Sequence, residues 1–401
     1  MPNATSSNPR RFNFDELHSA MRRQVDQQFL PGIATAVLAG GEAVDTFCTG
    51  WADKEAGIAL RPDHIYRMFS NTKLVTACAV LMLWEEGRFD LDDPIERFIP
   101  QLGQRRVLRP GATHIHDTEP ARGPITIRQL MTHTSGLSYG VFDPGSVLFQ
   151  AYSDAKVLSP LTSLAEKMDQ LAALPLRFHP GTAWEYSVAS DVTARLVEVV
   201  SGHSFGEFLR GRIFEPLGMV DTGFYVPAAQ QHRLCAYYSG VDLADPTKPG
   251  LVRRNELPYP GAYLARVPNE SGGGGLVSTL DDTVRLIKAV MPNSGRLLKP
   301  STLALMARNQ LAPGLCVDFP GLIRFEGWGF GLGSGVIVQP APFEPRDSVG
   351  EFQWSGLGGT HWWVNPRFDI AGVLMTQRHF GSSNAYAFEF KREAYRALGL
   401  R

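Results

Sequence analysis

Ser70 and Lys73 stand one helical turn apart in Met68-Phe69-Ser70-Asn71-Thr72-Lys73, and the apolar run 74–84 follows at once. Such a run reads as a buried helix too short to span a bilayer. Residues three apart share a helix face, so the hydroxyl and the ammonium point the same way. A free serine is a poor nucleophile and needs a base beside it. A lysine can be that base where burial or nearby cations lower its pKa. The helix end also offers unpaired N–H groups to a developing negative charge. The competing reading of the same residues is a helix cap and a surface lysine. Ser153-Asp154-Ala155-Lys156 repeats the spacing, but Val157-Leu158-Ser159-Pro160 follows it and breaks a helix.

Two other stretches complete a serine-acylation site. Trp184-Glu185-Tyr186-Ser187-Val188 follows Pro180-Gly181 and leads into a helix. A tyrosine there can shuttle a proton if cations hold its pKa down. Otherwise Tyr186 is an ordinary buried aromatic. Trp354-Ser355-Gly356-Leu357-Gly358-Gly359-Thr360 precedes a strand, and a small-residue segment there can present a backbone N–H to a substrate carbonyl. With the Ser70 N–H it would form an oxyanion hole; without that role it is a glycine-rich hairpin.

Three stretches are decoys. Gly202-His203-Ser204-Phe205-Gly206 has the spacing of a nucleophile elbow, but a helix and not a strand precedes it. Ser204 and Glu207 read instead as a capping box. Glycines 272–275 lack the Gly-Lys-Ser/Thr of a phosphate loop and read as close backbone approach near a site. His114-Ile115-His116-Asp117 lies in a polar loop with no clear third metal ligand.

The elements that must position these residues fall into three sections. Residues 14–29 read as an amphipathic helix with Leu17, Met21 and Val25 in register. Residues 33–38 then read as a buried strand, and Gly40-Gly41 turns the chain into a hairpin partner at 43–51. From 70 to about 268 helices dominate, including 190–200 and 204–214, between Pro/Gly-rich loops. After the glycine run come a helix at 279–290, capped by Ser278 or Thr279, strands at 331–338, 351–354, 360–365 and 370–377, and a helix at 386–398. The alternating Gly327, Gly329, Gly331, Gly333 and Gly335 predict a strand with one bare face packed closely on something. The fold class is therefore α+β. Residues 1–69 and 269–401 make an antiparallel sheet with terminal helices, and 70–268 make a mainly helical domain. Ser70 sits where the two meet, a common place for a pocket.

Composition narrows the function class. The chain has 401 residues, 44% of them hydrophobic, enough for one or two domains with a large core. A net charge of -1 argues against a nucleic-acid binder. No stretch is long and apolar enough to cross a membrane. Residues 1–11 lack the apolar core of a signal peptide. Cys48, Cys78, Cys235 and Cys316 show neither disulfide nor zinc spacing. The expected setting is reducing and cytoplasmic.

The ordered set Ser70-Asn71-Thr72-Lys73, Tyr186-Ser187-Val188 and Trp354-Ser355-Gly356 resembles the serine β-lactamase and penicillin-binding-protein superfamily. It is most similar to the family VIII carboxylesterases, whose fold is like that of class C β-lactamases. Supporting stretches are Gly87-Arg88-Phe89-Asp90-Leu91-Asp92-Asp93-Pro94, His133-Thr134-Ser135-Gly136-Leu137 and Pro216-Leu217-Gly218-Met219. The resemblance runs from about residue 14 to 398. Val188 replaces the asparagine of the lactamase pattern, and Trp354-Ser355-Gly356 replaces its Lys-Thr-Gly. Losing that lysine removes a cation and adds an apolar wall, which moves the expectation from charged lactams toward neutral esters. The resemblance implies a short-chain carboxylesterase with a small-molecule ester substrate. Ser70 would be the nucleophile, Lys73 and Tyr186 a coupled base pair, and the Ser70 and Leu357 N–H groups the oxyanion hole. It implies that Trp354, Tyr139 and Gly356 contact the substrate, and that no metal or cofactor is needed. It also admits weak β-lactam hydrolysis. An acyltransferase and an inactive ligand-binding homologue are the rival readings, with a D-amino-peptide hydrolase behind them. The natural substrate and the oligomeric state are not legible at this level.

Overall fold

Residues 32–39 are apolar at almost every position, and the strand they form, Gly32–Ala39, is buried along nearly its whole length. Alternate side chains of a strand point to opposite faces. Ile33 and Val37 face one apolar cluster, and Ala34, Ala36 and Leu38 face another. Both faces of the sheet must therefore be covered. The computed structural model describes residues 12–292, 294–381 and 385–401. Within it the strand lies inside an eight-stranded sheet. The order is Trp328–Phe330, Gly335–Ile337, Phe352–Ser355, His361–Asn365, Ile370–Met375, Gly32–Ala39, Glu42–Asp53 and Ile58–Ala59. Every neighbouring pair is antiparallel. The fold is α+β.

Helices Asp15–Asp26 and Ala385–Ala397 cover the outer face, through Leu17, Ala20, Met21, Phe390, Ala394 and Tyr395. The inner face packs on helices Leu280–Val290 and Thr72–Glu85 and joins one continuous apolar cluster with the middle helices. Helix Thr72–Glu85 is buried on all sides over its first ten residues, as its apolar sequence requires. Among the described residues no helix is long and apolar enough to cross a membrane. All four cysteines are free.

Several elements differ from expectation. The glycine-alternating segment is a hairpin and not one strand: Trp328–Phe330 pairs with Gly335–Ile337. Gly333, at φ +96°, belongs to the connection, a backbone state that side chains other than glycine rarely adopt. The close packing does hold. A Cβ at Gly331 would lie 2.1 Å from the Met306 carbonyl oxygen, and one at Gly333 would lie 2.5 Å from Ala77 Cβ. Helix Val147–Asp154, which was not placed from the sequence, is capped by Ser146 and buried through Leu148 and Tyr152. Helix Leu164–Ala172 is likewise opened by a Ser163–Glu166 capping box. Helix Val147–Asp154 is only about two turns long, whereas Leu164–Ala172 carries Leu164, Met168 and Leu171 at helical spacing behind a Ser-x-x-Glu cap, a signal the sequence does hold. Ser204 forms the expected capping box with Glu207, accepting the Glu207 N–H while Glu207 accepts the Ser204 N–H.

Candidate active site

The polypeptide enters the Ser70 turn under strain. Strand Tyr66–Arg67 pairs with Val277–Ser278, and the chain then turns through Phe69 at φ +45°. A bulky residue with positive φ is a backbone outlier of the sort that gathers at functional sites. The rings of Tyr237 and Tyr263 hold Phe69 in place at 5.5 and 6.2 Å. Ser70 follows in a 3-10 turn, half-buried, and Lys73 lies in the first turn of Thr72–Glu85, almost fully buried. Lys73 Nζ donates to the Gly273 carbonyl at 2.7 Å and lies 3.4 Å from Ser70 Oγ. It also sits 4.5 Å above the Tyr186 ring and 5.6 Å from that of Tyr139.

Tyr186 is buried just before helix Ala189–Ser201. Its hydroxyl accepts a hydrogen bond from Trp354 Nε1 at 3.1 Å. Aromatic rings enclose it: Tyr139 stacks at 5.5 Å, and Phe142, Phe319 and Trp354 pack at 5.7, 5.5 and 5.3 Å. His133, held at φ +57°, completes the enclosure at 4.9 Å. Its Nδ1 accepts the Ser187 N–H at 3.2 Å, which leaves the ring proton on Nε2. Burial, helped by the Lys73 charge, holds His133 well below the usual histidine range, so the ring is neutral. Burial also lifts Tyr139 well above the usual phenol range, with Tyr186 and Asp191 adding to it. Next to Tyr186, burial pushes Glu185 up to about 7, against the opposing charge of Arg177 at 2.9 Å.

The Trp354 strand brings in the remaining segment. Gly356 N–H donates to the Thr360 carbonyl at 2.8 Å, and Thr360 Oγ1 reaches the Met68 carbonyl at 3.3 Å. A Cβ at Gly356 would lie 2.3 Å from that Met68 oxygen, and one at Gly358 3.0 Å from the Phe69 ring. Only glycines let segment 356–358 lie directly on the turn that carries Ser70. Leu357 is half-buried there, and among the described residues neither its N–H nor that of Ser70 has a protein acceptor.

The residues expected to form the site, Ser70, Lys73, Tyr186, Trp354, Gly356, Leu357 and Tyr139, thus fall into one cluster, away from the decoy Ser204. Two points go beyond expectation. Trp354 is a hydrogen-bond donor to Tyr186 as well as an apolar wall. Asp191 and Lys167, which the sequence reading passed over, lie directly behind Lys73 together with the 271–273 backbone, where the glycine run makes the close approach expected of it. The signal for Asp191 was its place as the one acid in the first turn of the largely buried helix Ala189–Ser201. Among the described residues no group of three or more His, Cys, Asp or Glu is placed to hold a metal. A cavity of about 730 Å³, lined in part by Arg109, Arg122 and His179, includes none of these cluster residues in its wall.

A family model described as Beta-lactamase matches residues 17–396. The chain belongs to the beta-lactamase family. Esterase EstB of Burkholderia gladioli is 32% identical over 392 residues, spanning 93% of this chain and 94% of that protein. Among solved structures this beta-lactamase-family chain is similar to EstCE1, described as a hydrolase with promiscuous acyltransferase activity. The TM-score is 0.80 at 25% identity, over 94% of this chain and 97% of that one. Simvastatin synthase (LovD) from Aspergillus terreus shares the fold, with a TM-score of 0.78 at 24% identity over 96% and 97% of the two chains.

Proposed function

We propose that this chain is a family VIII carboxylesterase that hydrolyses short-chain carboxylic esters through a Ser70 acyl-enzyme. The observation that carries the reading is the placement of Lys73 Nζ, 3.4 Å from Ser70 Oγ and 4.5 Å over the Tyr186 ring. Ser70 Oγ attacks the ester carbonyl, and its proton passes to the Lys73–Tyr186 pair. The carbonyl oxygen, now negative, accepts hydrogen bonds from the Ser70 and Leu357 N–H groups. The C–O bond to the alcohol breaks, and the alcohol departs with a proton delivered by Tyr186. Water then attacks the acyl carbon, the pair takes the water's proton, and Ser70 regains its hydrogen as the acid leaves. Neither a metal nor a cofactor enters these steps. Tyr139 and Trp354 line the substrate's place, and an indole at 354, where the lactamase pattern has a lysine, favours neutral esters. The four unpaired thiols accord with a reducing, cytoplasmic setting.

The aromatic enclosure of Tyr186 supports a second activity, acyl transfer to an alcohol, because it restricts water near the acyl-enzyme. The similarity to EstCE1 points the same way. The test compares wild type with Ser70→Ala on p-nitrophenyl butyrate, with intact mass after treatment with a fluorophosphonate. Turnover and a single adduct in wild type, both lost in the variant, are expected. Turnover and adduct retained by the variant would refute the assignment. Added alcohol that diverts product from acid to ester measures the transferase share.

A further inference from the structure

Behind Lys73 lies an ion pair that the steps above do not use. Asp191 and Lys167 are both buried, and Lys167 Nζ donates to Asp191 Oδ2. The other carboxylate oxygen, Oδ1, accepts Ser271 Oγ–H at 2.8 Å and the Gly273 N–H at 2.9 Å. Lys167 also donates to Asn269 Oδ1 at 3.2 Å. The peptide joining Gly272 to Gly273 is therefore gripped at both ends, because Thr76 Oγ1 donates to the Gly272 carbonyl at 2.7 Å. The next carbonyl along, Gly273 O, is the acceptor of Lys73 Nζ at 2.7 Å. A further hydrogen bond, from Tyr263 OH to the Gly274 carbonyl at 3.1 Å, continues the clamp.

The glycines make this approach possible. A Cβ at Gly272 would lie 2.6 Å from the Ser190 carbonyl and 2.7 Å from Ala194 Cβ, and one at Gly275 would lie 2.8 Å from the Phe224 ring. The run reads as a loop pressed onto helix Ala189–Ser201 so that one carbonyl meets the Lys73 ammonium.

We propose that Asp191, charge-balanced by Lys167, is a positioning residue: it fixes the Gly273 peptide so that its carbonyl aims Lys73 Nζ at Ser70. This rests on the Ser70–Lys73 reading above. A buried ion pair is weak evidence for stability, since packed apolar residues often serve as well. Here both carboxylate oxygens are engaged, and one holds the backbone that contacts the base. The Lys167 charge, together with the hydrogen bonds, overcomes the effect of burial and keeps Asp191 below the usual carboxylate range, so it is ionised where the enzyme would work. The groups that face Lys73 are Ser70, the Gly273 carbonyl, the Tyr139 and Tyr186 rings, and neutral His133.

The experiment uses the full chain as wild type, Asp191→Asn and Ser271→Ala. Three quantities are read: kcat and KM on p-nitrophenyl butyrate, the rate and final extent of fluorophosphonate labelling, and thermal melting. A misplaced base slows chemistry, so Asp191→Asn should lose about ten- to a hundredfold in kcat with KM little changed. Labelling should be slower by a similar factor yet still reach completion. Ser271→Ala keeps the ion pair and removes the hydroxyl that donates to Asp191 and accepts the Gly273 N–H at 3.2 Å, so it should show the same signature with a smaller loss. A merely structural role gives a different pattern, a reduced extent of labelling at the wild-type rate, and that result overturns the proposal. So does a wild-type kcat in folded Asp191→Asn, or in Ser271→Ala if Asp191→Asn does not fold. If wild type itself neither turns over nor gains an adduct at Ser70, it is the underlying serine-esterase reading that has failed.

Discussion

Replacing Trp354 with phenylalanine removes one hydrogen bond and leaves an aromatic ring in place. The bond runs from Trp354 Nε1 to the Tyr186 hydroxyl at 3.1 Å in a buried setting. A hydrogen bond between neutral groups contributes about 1 kcal/mol net, and one to a charged group about 1.5–3 kcal/mol. If the Tyr186 oxygen takes up charge as it relays the Ser70 proton, the Trp354 donor is strongest in the transition state. Its loss then costs about ten- to a hundredfold in kcat/KM. A second effect is separate. The indole packs on Tyr186 at 5.3 Å and Phe330 at 5.2 Å, so a smaller ring leaves a cavity that costs about 1–3 kcal/mol of stability. Melting curves read the stability effect, and steady-state kinetics on p-nitrophenyl butyrate read the first. A double-mutant cycle with Tyr186→Phe isolates the bond, since Trp354→Phe should cost little once the hydroxyl is gone. If Trp354 were only an apolar wall, the substitution would move KM and chain-length preference and leave kcat alone. A folded Trp354→Phe enzyme with kcat/KM within about twofold of wild type would refute the reasoning. So would an equal loss in the Tyr186→Phe background.

Two further outcomes follow from the geometry. Ser204→Ala removes a helix cap and should lower stability by about 1 kcal/mol in a melt, with ester turnover and the fluorophosphonate adduct unchanged. A loss of turnover in the folded variant would make Ser204 the nucleophile. Glu185 has a folded-state pKa of about 7 against an ordinary 4.5, because burial outweighs Arg177. A raised carboxyl pKa stabilises the fold fully below the ordinary value, and that contribution is lost as pH rises toward the folded one. Relative to wild type, Glu185→Gln should therefore gain stability between about pH 4.5 and 7, by up to roughly 3 kcal/mol. Parallel stability curves across that window would show that Glu185 does not carry the effect.

Residue types and local periodicity determined much of this protein. The spacing of Ser70 and Lys73 before an apolar run placed both at the start of a buried helix. The capping chemistry of Ser204 and Glu207 was local enough to dismiss a serine decoy. Apolar runs and turn glycines located most strands of the eight-stranded sheet, though Gly32–Ala39, His361–Asn365 and Ile370–Met375 are buried on both faces and show no alternation. Helices Val147–Asp154 and Leu164–Ala172 were not placed from the sequence; the first is too short for a period to show, while the second was marked by Leu164, Met168 and Leu171 behind the Ser163–Glu166 cap. Nor could alternating glycines reveal a hairpin, because the turn at Gly333 depends on what packs against it, here Ala77. Only the tertiary structure could bring Trp354 Nε1 to Tyr186, 168 residues away along the chain, or show that the indole donates to that hydroxyl. The same holds for Asp191: helix Ala189–Ser201 fixes its position, but its partners come from residues 167, 271 and 273. Local sequence sets which groups a segment can offer. Which groups meet is decided by the burial of sheet and helices against one another, since packing alone closes distances between parts of the chain that share no local signal.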